Sequence, residues 1–243
     1  MLFQAGSISK AATAYLALSV LELDEELRRL LSHTAGYGDS FIPGGADPVV
    51  PRIEHPVGEF HYSGGGYYLV QQRIERETGR PFAYVAREIV FEPLGMEDST
   101  FENPLPEHLH GRAARDDWTT YIEAAAAGLW STPSDLGRFI SAVQRTPRML
   151  EPVVQLPAEG EWTVLPQLGV RPPDACGLGV FLEGGDRFSH LGGAAGFFSL
   201  LTGSTSDGSG GVVMSSSDPT PIVFETALQL AVTHGWRGYQ SDG

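Results

Sequence analysis

Apolar positions follow two periods along this chain. Up to about residue 150 they recur at helical spacing; from about 176 they alternate with small or polar residues. Residues 7–23 read as a helix dominated by Ala, Leu and Val, with Ser7 ahead of the apolar pattern as its N-cap. "LDEELRRLLSHTAGYG" predicts a second, short helix ended near Gly36 and Gly38, and the Pro- and Gly-rich "FIPGGADPVVPRIEHPVGE" predicts a loop. Gly64 to Gly66 are expected to form a tight turn into a helix near 67–78, broken by Gly79 and Pro81. A further helix near 81–91 stops at "PLGM". "AAAAGLWSTPSDLGRFISAVQR" holds a capped helix in which Ser134 follows Pro133 and opens the run Leu136, Phe139, Ile140, Val143. Beyond 176, "CGLGVFLEGG", "RFSHLGG" and "GFFSLLTGSTSDGSGGVVMSSS" predict three or four strands joined by Gly-rich turns, "SDGSGG" being a hairpin loop. A last helix near 219–236 closes the chain. Helices first, then an antiparallel sheet with a closing helix, is an α+β order. The prediction is one domain over 1–243, with a helical lobe at about 7–150 and a sheet lobe at about 176–243.

Charge and cysteine content narrow the function classes. Sixteen basic against thirty acidic residues leave a net charge of −14, which argues against nucleic acid or an anionic membrane surface as partner. No apolar run reaches the ~18 residues of a membrane span. Met1 leads into "LFQAGS" without a charged leader, so the expected location is the cytoplasm. Cys176 is the only cysteine, which excludes an internal disulfide and a thiolate metal cluster; it reads as a small buried strand residue. In "EHLHG", His108 and His110 read as a solvated loop, because a zinc site needs three or four converging ligands. Neither metal nor cofactor is expected.

One compositional oddity points to chemistry. Lys10 is the only lysine; the other fifteen basic side chains are arginines. Arginine keeps its proton under all practical conditions, whereas an ammonium can be tuned to accept or relay one. Ser7 and Lys10 stand at i, i+3, so one helical turn brings both side chains to one face. A serine hydroxyl is a poor nucleophile until a neighbouring amine takes its proton, and a helix N-terminus favours a developing oxyanion. In "HYSGGGY", Tyr62 precedes the glycine turn, and a phenol near an ammonium can serve as general base. In "SHLGG", His190 sits on a predicted strand before Gly192 and Gly193. Small residues there would admit a substrate backbone, and the Gly193 N–H would pair with that of Ser7 to hold an oxyanion.

Taken together, "FQAGSISK", "LLSHTAG", "FHYSGGGYYLVQQRIERETGRPF", "EPLGM", "AAGLWSTPSDLGRF" and "HLGGAAGF" resemble the serine β-lactamase and penicillin-binding-protein superfamily, over nearly the whole chain. The branch most similar is the class C-like one, with its esterases, D-stereospecific peptidases and transesterases. That resemblance implies a β-lactamase/transpeptidase-like fold. It implies Ser7 as acylated nucleophile, Lys10 as its proton-relaying partner and Tyr62 as the base that later activates water; which of Lys10 and Tyr62 takes the first proton is open. His190 occupies a position where β-lactamases carry lysine and esterase-like members often carry histidine. His33, in "SHTAG", reads as a buried hydrogen-bonding anchor. Relatives place two strands and usually a helix ahead of the nucleophile, whereas six residues precede Ser7 here; the expectation is a gene fragment, or a companion chain or an oligomer that covers an open sheet edge. Gly64 stands where such β-lactamases carry the asparagine that holds a substrate amide, which favours esters. Segments bordering the cleft are shorter than in relatives, so an open pocket is expected. The reading favoured is an acyl-enzyme hydrolase of small esters. The alternatives are a biosynthetic acyltransferase or D-peptidase acting on an ester or amide, and an inactive fragment that binds a partner.

Overall fold

The computed structural model describes residues 1–38, 50, 52, 55–156 and 173–218, with Glu225, Thr226, Gln229 and Thr233 beyond them. Its strands are β1 (Phe3–Gln4), β2 (Trp130–Ser131), β3 (Val154–Gln155), β4 (Ala175–Cys176), β5 (Phe181–Glu183), β6 (Arg187–Ala194), β7 (Phe197–Ser204) and β8 (Gly210–Ser215). Its helices are α1 (Ile8–Val20), α2 (Glu25–Leu31), α3 (Gly64–Thr78), α4 (Phe82–Ala86), α5 (Glu107–His110), α6 (Ala124–Ala127), α7 (Pro133–Gln144) and α8 (Pro147–Leu150).

Helix α1 is the axis of the core. Residues 8–14 are all buried, as are Leu16 and Ala17, so its Ala-rich surface meets protein on nearly every side. That matches its composition, which is apolar around the whole barrel and suits a central helix better than a surface one. It packs against α3 and α6 on one side and against β6 and β7 on the other. Strands β3 to β8 form one antiparallel sheet in chain order, with His190 opposite Leu201 and Gly193 opposite Phe198. Every residue of β7 is buried, and α7 packs on β7 and β8. Helix α7 buries Leu136, Phe139, Ile140 and Val143, each stabilising the fold by roughly 1.5–3 kcal/mol.

The α+β architecture is the one expected, with local corrections. The first helix ends at Val20, and α3 begins at Gly64. The glycine run is thus helix, not a turn ahead of it: Ser63 caps it by accepting from the Gly66 N–H at 2.8 Å. Gly65 must be small because a Cβ there would lie 2.5 Å from the Gly38 carbonyl oxygen. The 81–91 segment is α-helical only to Ala86, then turns π-helical over Arg87–Phe91. The cap of α7 is Thr132, accepting from the Asp135 N–H at 3.2 Å, with Pro133 at the first helical position; Ser134 already lies inside. "EHLHG" is a single helical turn with Leu109 buried, and His110 Nε2 meets the Leu105 carbonyl at 2.6 Å. "CGLGVFLE" splits into β4 and β5, and β3 adds a sixth strand. Apart from this sheet β1 pairs with β2, which no alternation announced because each has two residues. Cys176 is buried in β4, and burial pushes its thiol pKa up. The closing helix near 219–236 lies outside the described residues except for four, all helical.

Candidate active site

The chain reaches Ser7 through a turn pressed against the sheet. Gly6 takes φ +51°, a left-handed conformation, and a Cβ there would lie 2.6 Å from the Gly193 carbonyl oxygen. At Gly192 a Cβ would overlap the Ala5 carbonyl oxygen and Ser199 Oγ, and Ser199 itself donates to that carbonyl at 2.7 Å. The space on the Cβ side of Gly192 is therefore filled by the turn that leads into Ser7. Gly193 differs: it is exposed and its Cβ position opens onto free space.

Ser7 is half-buried between buried stretches at 2–6 and 8–14. Its hydroxyl caps none of the backbone N–H groups of α1. Lys10, 3% exposed, donates from Nζ to Ser7 Oγ at 3.2 Å and to the Ala126 carbonyl at 3.0 Å. The short helix α6 is held in place for this bond. Thr13 Oγ1 donates to the Ala125 carbonyl at 2.9 Å, and Gln71 Oε1 accepts from the Ala125 N–H at 3.1 Å. The described partners of the amine are completed by two rings, Tyr62 with its centroid at 4.7 Å and Tyr67 at 5.8 Å; no carboxylate is among them.

The two tyrosines differ in what their hydroxyls do. Tyr67 is buried and donates to the Leu31 carbonyl at 2.8 Å, and burial raises its pKa well above the ordinary phenol range. It is a structural phenol. Tyr62 is half-buried and offers its ring face to Lys10; among the described residues no hydrogen bond joins its hydroxyl to Ser7 or Lys10. Its ring stacks on His33 at 4.4 Å and 27°.

His190 lies in the middle of β6, 2% exposed. Its Nδ1 is 2.7 Å from the Leu191 carbonyl oxygen, so Nδ1 carries the proton and Nε2 is left as an acceptor. Burial first, then the charge of Lys10, pushes its pKa down to about 3, so the ring is neutral. It reaches the other groups through aromatic contact, with Phe181 at 5.4 Å and Tyr62 at 6.4 Å. Gly64 is buried as the first residue of α3. Ser7, Lys10 and Tyr62 thus meet around one amine, and His190 adjoins the Tyr62 ring. Three contributors carried no sequence signal. Ala126 acts through its backbone carbonyl, and Tyr67 and Phe181 look like any core aromatic.

The family model described as Beta-lactamase matches residues 1–234. The chain belongs to the beta-lactamase family. Solved structures similar to it agree in fold. A beta-lactamase/D-alanine carboxypeptidase from Yersinia pestis superposes with TM-score 0.76 at 19% identity, over 96% of this chain and 83% of that one. A D-amino acid amidase from Ochrobactrum anthropi, in complex with D-phenylalanine, gives 0.72 at 23% identity, over 96% and 92%. A penicillin-binding protein homologue from Pyrococcus abyssi, described as octameric, gives 0.71 at 19% identity, over 97% of this chain and 66% of that one. Against the last, this beta-lactamase-family chain spans about two thirds of the relative's length. No curated protein matches it. Among the described residues no set of three or more His, Cys, Asp or Glu side chains converges as a metal site. No described helix is long and apolar enough to cross a membrane.

Proposed function

We propose that the protein is a serine hydrolase that works through an acyl-enzyme on small esters. The observation that carries this is the 3.2 Å bond from the buried Lys10 amine to a Ser7 hydroxyl that caps nothing and follows Gly6, the residue packed on the exposed Gly193. Ser7 Oγ attacks the ester carbonyl, and its proton passes to the Lys10–Tyr62 pair and on to the departing alcohol. The N–H groups of Ser7 and Gly193 hold the oxyanion. Water entering on the Tyr62 side then gives up a proton, attacks the acyl carbonyl and returns the serine hydroxyl. Proton transfer requires the Tyr62 hydroxyl at roughly 2.6–3.2 Å from its partner, and such bonds commonly tighten only with substrate in place. Gly64, without a carboxamide to hold a substrate amide, favours esters over amides.

The test is covalent labelling. A fluorophosphonate should modify Ser7, with the adduct mapped by mass spectrometry, and Ser7→Ala should lower ester hydrolysis by on the order of 10³-fold or more. Equal labelling of Ser7→Ala would end the assignment. Incubating the same chain with an activated ester and with a penicillin reports which carbonyl Ser7 accepts.

A further inference from the structure

His33 is buried, yet its backbone adopts φ +60°, a left-handed conformation that side-chain-bearing residues take at a cost. If the chain needed only a reversal after α2, glycine would make it without strain. Three contacts explain the histidine. Its carbonyl accepts from the His61 N–H at 2.8 Å. Its Nδ1 accepts from the Ser63 N–H at 3.0 Å. Its ring stacks on Tyr62 at 4.4 Å, with Phe60 and Tyr67 against it at 5.7 and 5.2 Å. One residue thus grips the residue before Tyr62, the residue after it and the ring between them.

Only the first of these contacts is open to any residue type. The second needs an acceptor at the δ position, and the third needs a flat ring. Because Nδ1 accepts, the proton sits on Nε2; a charged ring would turn an N–H toward the Ser63 N–H. The groups facing the ring agree with a neutral form. They are Lys10 from α1, His190 from β6 and His61 from the loop, and with burial they drive its pKa well below the ordinary value.

We infer that His33 is a positioning residue for Tyr62, setting the ring against Lys10 through its Nδ1 acceptor and its stacked face together. This rests on the proposed role of Tyr62 in the serine hydrolase reading, and the experiment separates the two. The full chain is prepared with His33→Asn, which keeps an acceptor and tolerates positive φ, and with His33→Phe, which keeps a ring. Each is also made in a Tyr62→Phe background, which retains the stack and removes the hydroxyl. Ester hydrolysis is read as kcat and KM, with thermal melts on every variant. The expected result is a kcat about 10-fold or more lower for each single variant, with KM within about twofold. In the Tyr62→Phe background the same changes at His33 should cost no more than about twofold further, since a residue acting through Tyr62 has nothing left to position. Losses that multiply in the double variants would overturn the inference, showing a general packing role. So would unchanged kcat in both single variants. If His33→Phe does not fold, His33→Asn alone decides by the same criterion. If Tyr62→Phe is fully active while Ser7→Ala is dead, the inference fails and the serine hydrolase stands; if Ser7→Ala is active, the reading beneath it fails.

Discussion

Ser7 and Tyr62 lie on either side of one amine, and the chain holds them by different means. Around Ser7 it is the backbone of the preceding turn that is held: the Ala5 N–H donates to the Leu129 carbonyl at 2.8 Å, and the Ala5 carbonyl accepts from Ser199 Oγ. Ser9 Oγ donates to the Gly6 carbonyl at 2.5 Å and accepts from the Leu129 N–H at 2.9 Å. Gly6 and Gly192 allow this turn to lie directly on β6. Around Tyr62 the contacts come from the side chains of His33, Phe181 and Lys10. A turn packed backbone on backbone leaves no room for a Cβ and fails by distortion. A ring placed by other rings can be detuned while the fold persists.

The largest effect is expected where the backbone packing is tightest. In Gly192→Ala the new methyl meets the Ala5 carbonyl, which cannot withdraw without moving the turn before Ser7, and Ser199 Oγ, which can rotate away only by giving up its bond to that carbonyl. Overpacking of this kind costs about 1–3 kcal/mol. A nucleophile displaced by about 1 Å can lose on the order of 10²-fold in rate. Gly193→Ala, one residue along, places its methyl in open space. Thermal melts and fluorophosphonate labelling rates should therefore separate the two neighbours sharply, and equal behaviour would contradict the packing described.

This contrast also explains how far the sequence could be read. Ser7 and Lys10 were legible because a single lysine in an arginine-rich chain, three residues from a serine, is a local pattern. The α+β order was legible because the apolar period changes once. Gly192 marks a limit, since a glycine signals that something approaches closely but not whether it is ligand or chain, and on its Cβ side the Ala5 carbonyl does. The bond from Lys10 to Ala126 crosses 116 positions and ends on a carbonyl, which every residue type carries. The start of α3 was misplaced because three glycines read as a turn by propensity, whereas the Ser63 cap and the close approach of Gly38 to Gly65 impose a helix. Tertiary packing overrode a weak local preference in each case.

Acid probes the tyrosine end selectively. His33 and His190 are buried neutral with pKa values below the ordinary 6.5, His190 at about 3. Between those limits the unfolded chain binds protons that the folded chain refuses, so stability rises with pH across the window and falls as pH drops from about 6.5 toward 3. His190 contributes up to about 1.4 kcal/mol per pH unit, or about 2 kcal/mol by pH 5, and His33 acts in the same direction. Melting temperature should drop progressively below pH 6.5, and His190→Gln should flatten the slope. A melting temperature constant from pH 7 to pH 5 would rule out the buried neutral pair.

The smallest effect separates the start of α3 from the placement of Tyr62. The Ser63 side chain accepts from the Gly66 N–H at 2.8 Å and donates to the Gly38 carbonyl at 3.0 Å, while its backbone N–H is the group that His33 holds. Ser63→Ala removes the cap but leaves the backbone donor in place. The loss should be about 1 kcal/mol, as for other caps, or roughly 2–4 °C in melting temperature for a chain of this size. Ester hydrolysis should fall by less than threefold, because the N–H to His33 and the ring stack survive. Ser63→Thr, which keeps both the acceptor for Gly66 and the donor for Gly38, should recover most of the lost melting temperature. The pattern is the inverse of that expected for His33→Asn, where turnover falls more than stability. Were Ser63→Ala to lower kcat as much as the His33 variants do, the tyrosine would be held by the helix start as a whole, and the division between cap and clamp would not stand.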